Sequence, residues 1–125
     1  MRLKDYENRV ARWLRACFAP AIAESKEERV TRFLEEALEL VQSEGFDRDR
    51  VYRMVEYVFD RSPGDPAQEV GGVIITLAAY SGVAGIDLED AAVKELVRIE
   101  HPDIMAKIRE KHVAKGAVEG IVAAT

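Results

Sequence analysis

Apolar residues recur at three- and four-residue steps along most of this chain, in blocks separated by glycine, proline and capping residues. Val10, Trp13, Leu14, Cys17 and Phe18 mark a first helix over residues 5–18, and Pro20 ends it or kinks the next segment. Ser25, with Glu28 three positions on, has the form of a capping box and opens a second helix. Val30, Phe33, Leu34, Ala37, Leu38 and Val41 give that helix one apolar stripe, and Gly45 suits its C-terminal end. Asp47 opens a third helix, whose apolar positions are Val51, Met54, Val55, Val58 and Phe59. Residues 61–66, Arg-Ser-Pro-Gly-Asp-Pro, read as a loop. Asp65, Pro66 and Gln68 then fit the N-cap, N1 and N3 positions of a fourth helix, which Gly82 and Gly85 end. Asp87 caps a fifth, with Ala91, Ala92, Leu96 and Ile99 apolar. His101-Pro102 interrupts the pattern before a last helix near 103–114.

The periodicity predicts an all-α fold, an antiparallel bundle of about five to six helices. A single domain over 1–125 is expected, with 1–4 and 116–125 as tails. The fourth helix differs from the rest. From Val70 to Ile86 it carries no charged residue and is apolar nearly all round. Gly71, Gly72, Thr76, Ser81, Gly82 and Gly85 make it short and weakly apolar for a membrane span, so a buried central helix is expected. Two adjacent glycines inside a helix cost about 1 kcal/mol each relative to alanine. Either a close helix–helix approach or room for a ligand would account for them.

Composition narrows the function classes. Hydrophobic residues make up 48% and charged residues 33%, as in a folded soluble protein. The net charge of -5 argues against nonspecific binding to a nucleic-acid backbone. Cys17 is the one cysteine, so no disulfide forms within the chain, and a reducing cytoplasm is the natural compartment. His101 and His112 do not stand in zinc spacing with it. The first residues lack the apolar run of a signal peptide.

Candidate chemistry lies on the second and fourth helices. At 100° per residue, Glu36 and Glu39 lie about 60° apart, and Glu35 lies about 40° from Glu39 on the other side. Two carboxylates about 4 Å apart repel by on the order of 4 kcal/mol at an effective dielectric near 20. Either one keeps a proton or a cation sits between them, and carboxylate oxygens suit Mg²⁺ or Mn²⁺. A solvated helix face is the plain alternative, with Arg32 pairing Glu35 and Glu36. Glu69 stands at the mouth of the uncharged helix, where Asp65 and Gln68 already serve the cap. Trp13 and Tyr80 are the aromatics that would stack on a base if they were not core.

Arg-Phe-Leu-Glu-Glu-Ala-Leu-Glu-Leu-Val-Gln (32–42), Tyr-Val-Phe (57–59), Gly-Asp-Pro-Ala-Gln-Glu-Val-Gly-Gly-Val (64–73) and Gly-Ile-Asp-Leu-Glu-Asp (85–90) together resemble the MazG-like all-α nucleoside triphosphate pyrophosphohydrolases, the short phage-type members most closely. The resemblance spans roughly residues 5–115 and implies an oligomeric enzyme, a homodimer or tetramer. It implies Mg²⁺-dependent cleavage of a nucleoside triphosphate to monophosphate and pyrophosphate. It also implies metal ligands at Glu36, Glu39 and Glu69, with Glu35 orienting or deprotonating water. Arg32, Lys94 and Arg98 are the expected phosphate contacts. The family pattern ends in an Asp three residues after the last Glu, and that position here is Gly72. Asp65 is a possible substitute ligand, with capping its safer role. The alternative is a weakened or inactive homologue that binds nucleotide and metal without turnover. No P-loop, zinc motif or Ser-His-Asp arrangement competes.

Overall fold

In the computed structural model, residues 1–119 are described, with side chains through Lys115. All regular structure among them is α-helical. Seven helices follow in order: α1 (Leu3–Cys17), α2 (Pro20–Ala23), α3 (Lys26–Ser43), α4 (Arg48–Phe59), α5 (Pro66–Ala84), α6 (Leu88–Ile99) and α7 (Pro102–Glu119). The helix beyond the expected five to six is α2. α1 ends at Cys17, ahead of Pro20 as expected, and Pro20 then also starts a single turn from N1, where its missing N–H has no partner to lose. Of the tail expected at 1–4, Leu3 and Lys4 belong to α1, and the Met1 ammonium donates to Glu89 at 2.7 Å. The tail expected at 116–125 lies largely outside the described residues.

The helix starts follow from local chemistry. Ser25 Oγ accepts from the Glu28 N–H at 3.2 Å, one half of the capping box. Asp47, Asp65 and Asp87 accept from the N–H of Arg50, Gln68 and Asp90. Two stops use glycine in the left-handed region, Gly45 at φ 85° and Gly85 at φ 72°. Beyond them Phe46 donates back to the Val41 carbonyl, and Ile86 to that of Ser81, closing the last turn in each case.

The chain divides into two compact units. The terminal unit holds residues 1–29 and 87 onward; the central unit holds 30–86. α3 contributes its first turn to one and its remainder to the other.

In the terminal unit α1 lies against α6 and α7. Tyr6 donates its hydroxyl to the Ala92 carbonyl at 2.8 Å, and Trp13 its indole N–H to the Ile99 carbonyl at 2.7 Å. The two bonds are seven residues apart on both helices, so α1 and α6 run parallel; the bundle is not antiparallel throughout. Cys17, Ala23 and Leu96 are buried here. Trp13 meets Phe18 edge to face, with ring centroids 6.2 Å apart. Glu28 is buried as well, and its carboxylate faces His112 Nδ1 at 3.2 Å.

The central unit comprises the rest of α3 with α4 and α5. Between residues 30 and 86 only Ser81 is buried. The expectation that α5 is buried on most sides is therefore overturned for the single chain: Val70, Ile75 and Val83 are 64, 70 and 92% exposed. The apolar stripe of α3 is uncovered too, with Phe33, Leu34 and Leu38 exposed. Periodicity identifies surface that needs covering, but not whether the same chain covers it.

Candidate functional site

The central unit carries all four candidate carboxylates. On α3, Glu35 is half-buried and accepts from Arg32 Nη1 at 3.2 Å. The ion pair expected on a plain helix face thus forms within one turn, and it positions Glu35. Glu36 and Glu39 are exposed.

On α5, Glu69 stands in the first turn of a helix whose cap is already made by Asp65. Its carboxylate lies over the preceding loop. A Cβ at Gly64 would come within 2.9 Å of Glu69 Oε2, so the glycine in Gly-Asp-Pro leaves room for that side chain. Asp65 Oδ2 takes the Gln68 N–H at 3.0 Å, and this capping bond accounts for the residue. At Gly71 and Gly72 a Cβ would meet nothing within 4 Å. Among the described residues, close approach of another helix therefore does not explain the pair.

Tyr80 ties α5 to the end of α3. Its hydroxyl donates to Glu44 Oε2 at 2.7 Å, and this bond to a carboxylate pushes the phenol pKa up. Tyr80 is thereby committed to a polar contact that its sequence context did not signal. Glu69 lies eleven residues earlier, about 20° away around the helix, so both occupy one face of α5. The face bearing Glu69 is the one that reaches toward the α3 end.

Even so, among the described residues no three His, Cys, Asp or Glu side chains form a group able to hold a metal ion. The single chain does not gather Glu36, Glu39 and Glu69. The donor set is all carboxylate oxygen, right for a hard divalent cation, but its members stand apart.

The expected phosphate contacts divide between the units. Arg32 lies on α3 beside Glu35. Lys94 and Arg98 lie on α6 in the terminal unit, where Lys94 pairs with Asp90 at 2.9 Å and Arg98 with Glu95 through two bonds of 2.8 Å. Trp13 has its N–H engaged by Ile99 and belongs to the packing of α1.

One cluster was not foreseen. Around Phe18 gather the His112 ring at 5.3 Å, the Arg29 guanidinium at 5.7 Å, and the Glu28–His112 contact. Arg109 donates to the Cys17 carbonyl at 3.3 Å. Glu28 and His112 had appeared only as a capping-box partner and a histidine outside zinc spacing. An i, i+4 or metal pattern would have flagged them, and they form neither. Burial pushes the Cys17 thiol up despite Arg109 nearby, which makes it a poor nucleophile.

No family model, no curated protein and no solved structure matches this chain.

Proposed function

We propose that the chain is a Mg²⁺-dependent nucleoside triphosphate pyrophosphohydrolase of the MazG-like kind, acting as a homodimer or tetramer in the cytoplasm. Glu36, Glu39 and Glu69 would hold Mg²⁺ or Mn²⁺, which neutralises triphosphate charge when bound. Glu35, steadied by Arg32, is suited to orient the attacking water. Arg32, Lys94 and Arg98 are the proposed phosphate contacts. Phosphoryl transfer asks the protein mainly for positioning and charge stabilisation, which carboxylates and guanidinium groups supply without a covalent nucleophile. The buried, raised Cys17 thiol offers no competing chemistry.

The observation that carries the reading is the Tyr80–Glu44 hydrogen bond. It turns the Glu69 face of α5 toward the end of the helix that bears Glu35, Glu36 and Glu39. Glu69 lies about 16 Å from Tyr80 along α5, and Glu36 lies about 12 Å from Glu44 along α3, at 1.5 Å per residue. α3 and α5 do not pack along each other in the single chain, so gathering these carboxylates asks for a closer approach of the two helices.

Gly72 favours a second reading, a homologue that binds metal and nucleotide without turning it over. The fourth carboxylate is missing there, and the open space around Gly72 would accept one. The two readings separate in one assay. Incubation with a nucleotide panel and Mg²⁺ should release pyrophosphate, and Glu36→Ala and Glu39→Ala should lower release by on the order of 100-fold. Tight nucleotide binding with no pyrophosphate, gained in Gly72→Asp, would establish the second.

A further inference from the structure

The terminal unit holds a cleft of about 330 Å³, apart from the candidate carboxylates. Arg9, Arg12, Trp13 and Ala16 line it from α1, at the i, i+3, i+4 and i+7 positions that share one helix face. Glu100, just past the end of α6, and Met105, in the first turn of α7, line it from the other side. The cleft thus sits where the His101–Pro102 break between α6 and α7 lies against α1. Its volume falls at the small end of the range for small-molecule pockets, roughly 300–1,000 Å³.

We propose that this cleft binds a small planar ring that carries one anionic group, a carboxylate or a phosphate. The site lies in the terminal unit alone and does not rest on the pyrophosphohydrolase reading.

Charge and shape select that ligand. The lining sets two guanidinium groups against one carboxylate, a positive excess in a chain whose net charge is -5. Arg9 bonds Glu100 through Nε and Nη2, which leaves the rest of its five N–H donors for another acceptor. Arg12 is exposed and, among the described residues, has no hydrogen bond or ion pair of its own. It lies near enough to Glu100 to help hold that carboxyl low, so its charge acts on the cleft. A carboxylate or phosphate oxygen is the acceptor that such a guanidinium binds best. Trp13, Ala16 and Met105 form the apolar side. The half-buried Trp13 ring is held in place, its N–H on the Ile99 carbonyl and its ring edge to face with Phe18. A ring fixed in this way loses little freedom when a flat ligand stacks on it, and the Met105 thioether suits an aromatic neighbour. An uncharged ring would leave Arg12 unanswered, and inorganic phosphate would leave Trp13 and Met105 uncovered.

The chain carries one tryptophan, so Trp13 emission reports the cleft directly. Without Mg²⁺, the full chain is titrated with phenyl phosphate and with benzoate, and calorimetry checks each Kd. Phenol, which lacks the charge, and inorganic phosphate, which lacks the ring, are the controls. At least one of the two acids should change Trp13 emission saturably, and the tighter of them names the anion. Both controls should bind about tenfold more weakly or worse. Arg12→Ala should weaken binding about tenfold, the loss of one charge-assisted hydrogen bond. Arg12→Lys, which keeps the charge, should recover part of that loss. Arg15→Ala removes the same charge from α1 outside the cleft and should leave Kd unchanged. Arg12 bonds to nothing among the described residues, so its variants should keep the far-ultraviolet circular dichroism of wild type. No saturable change with either acid overturns the assignment. So does equal binding by Arg12→Ala and wild type, equal loss in Arg12→Ala and Arg15→Ala, or a control that binds as tightly as the acids.

Discussion

Leu96 and Val83 are both aliphatic residues in the C-terminal part of an aspartate-capped helix, yet one is 1% exposed and the other 92%. Leu96 is buried within the terminal unit. That unit fastens α1 to α6 through the Tyr6 and Trp13 hydrogen bonds and the two-bond Arg9–Glu100 pair. The central unit has equally good caps, at Asp47 and Asp65, and no core. Good local signals therefore suffice for helices but not for closure. Closure needs apolar faces that meet, and those of α3, α4 and α5 face outward.

The contrast breaks most visibly at Leu96. Leu96→Ala should lower stability by about 2–5 kcal/mol, because a fully buried side chain leaves a cavity. Chemical denaturation should show the same loss at every protein concentration. A loss that shrinks on concentrating the protein would place Leu96 at an association surface and remove the distinction between the units.

A smaller effect sharpens the central unit. Asp65→Ala should cost about 1 kcal/mol through the lost bond to the Gln68 N–H. Mn²⁺ affinity should change less than tenfold. If affinity falls as far as in Glu69→Ala, Asp65 is a ligand standing in for the absent acid, and its cap is secondary.

The smallest effect is electrostatic. The Arg9 guanidinium holds the Glu100 carboxyl below its ordinary 4.5, with further help from Arg12. A folded-state value below the unfolded one adds stability that is fully present above the unfolded pKa and is lost as pH falls through the folded value. Glu100→Gln should therefore lower Tm slightly at pH 7, and the difference from wild type should vanish at pH values below the lowered pKa. A difference that persists in acid would mean the side chain acts by packing, not charge.

How much of this was legible in the sequence varies with the range of the interaction. Asp47, Asp65, Asp87 and the Ser25 cap act within three residues and were readable, as were the glycine stops at 45 and 85. So was the Arg32–Glu35 pair. α2 was not, because proline serves equally as a stop and as an N1 residue. The exposure of α5 was not, because an apolar pattern carries no record of which surface covers it. Tyr80–Glu44 and Glu28–His112 join residues 36 and 84 positions apart, beyond the reach of any local rule. The carboxylates of α3 and α5 were readable as candidates by type and spacing. Their separation in the single chain depends on how helices approach, which spacing does not encode.

The account turns on whether those carboxylates run a reaction. Quantifying nucleoside monophosphate and pyrophosphate together, from a triphosphate with Mg²⁺, is the most direct test. Wild type should give the two products in equal amounts, and Glu36→Ala should abolish both while the protein stays folded by Trp13 fluorescence. Product formation that Glu36→Ala and Glu69→Ala leave unchanged, or wild type that neither binds nor cleaves any nucleotide, would contradict it.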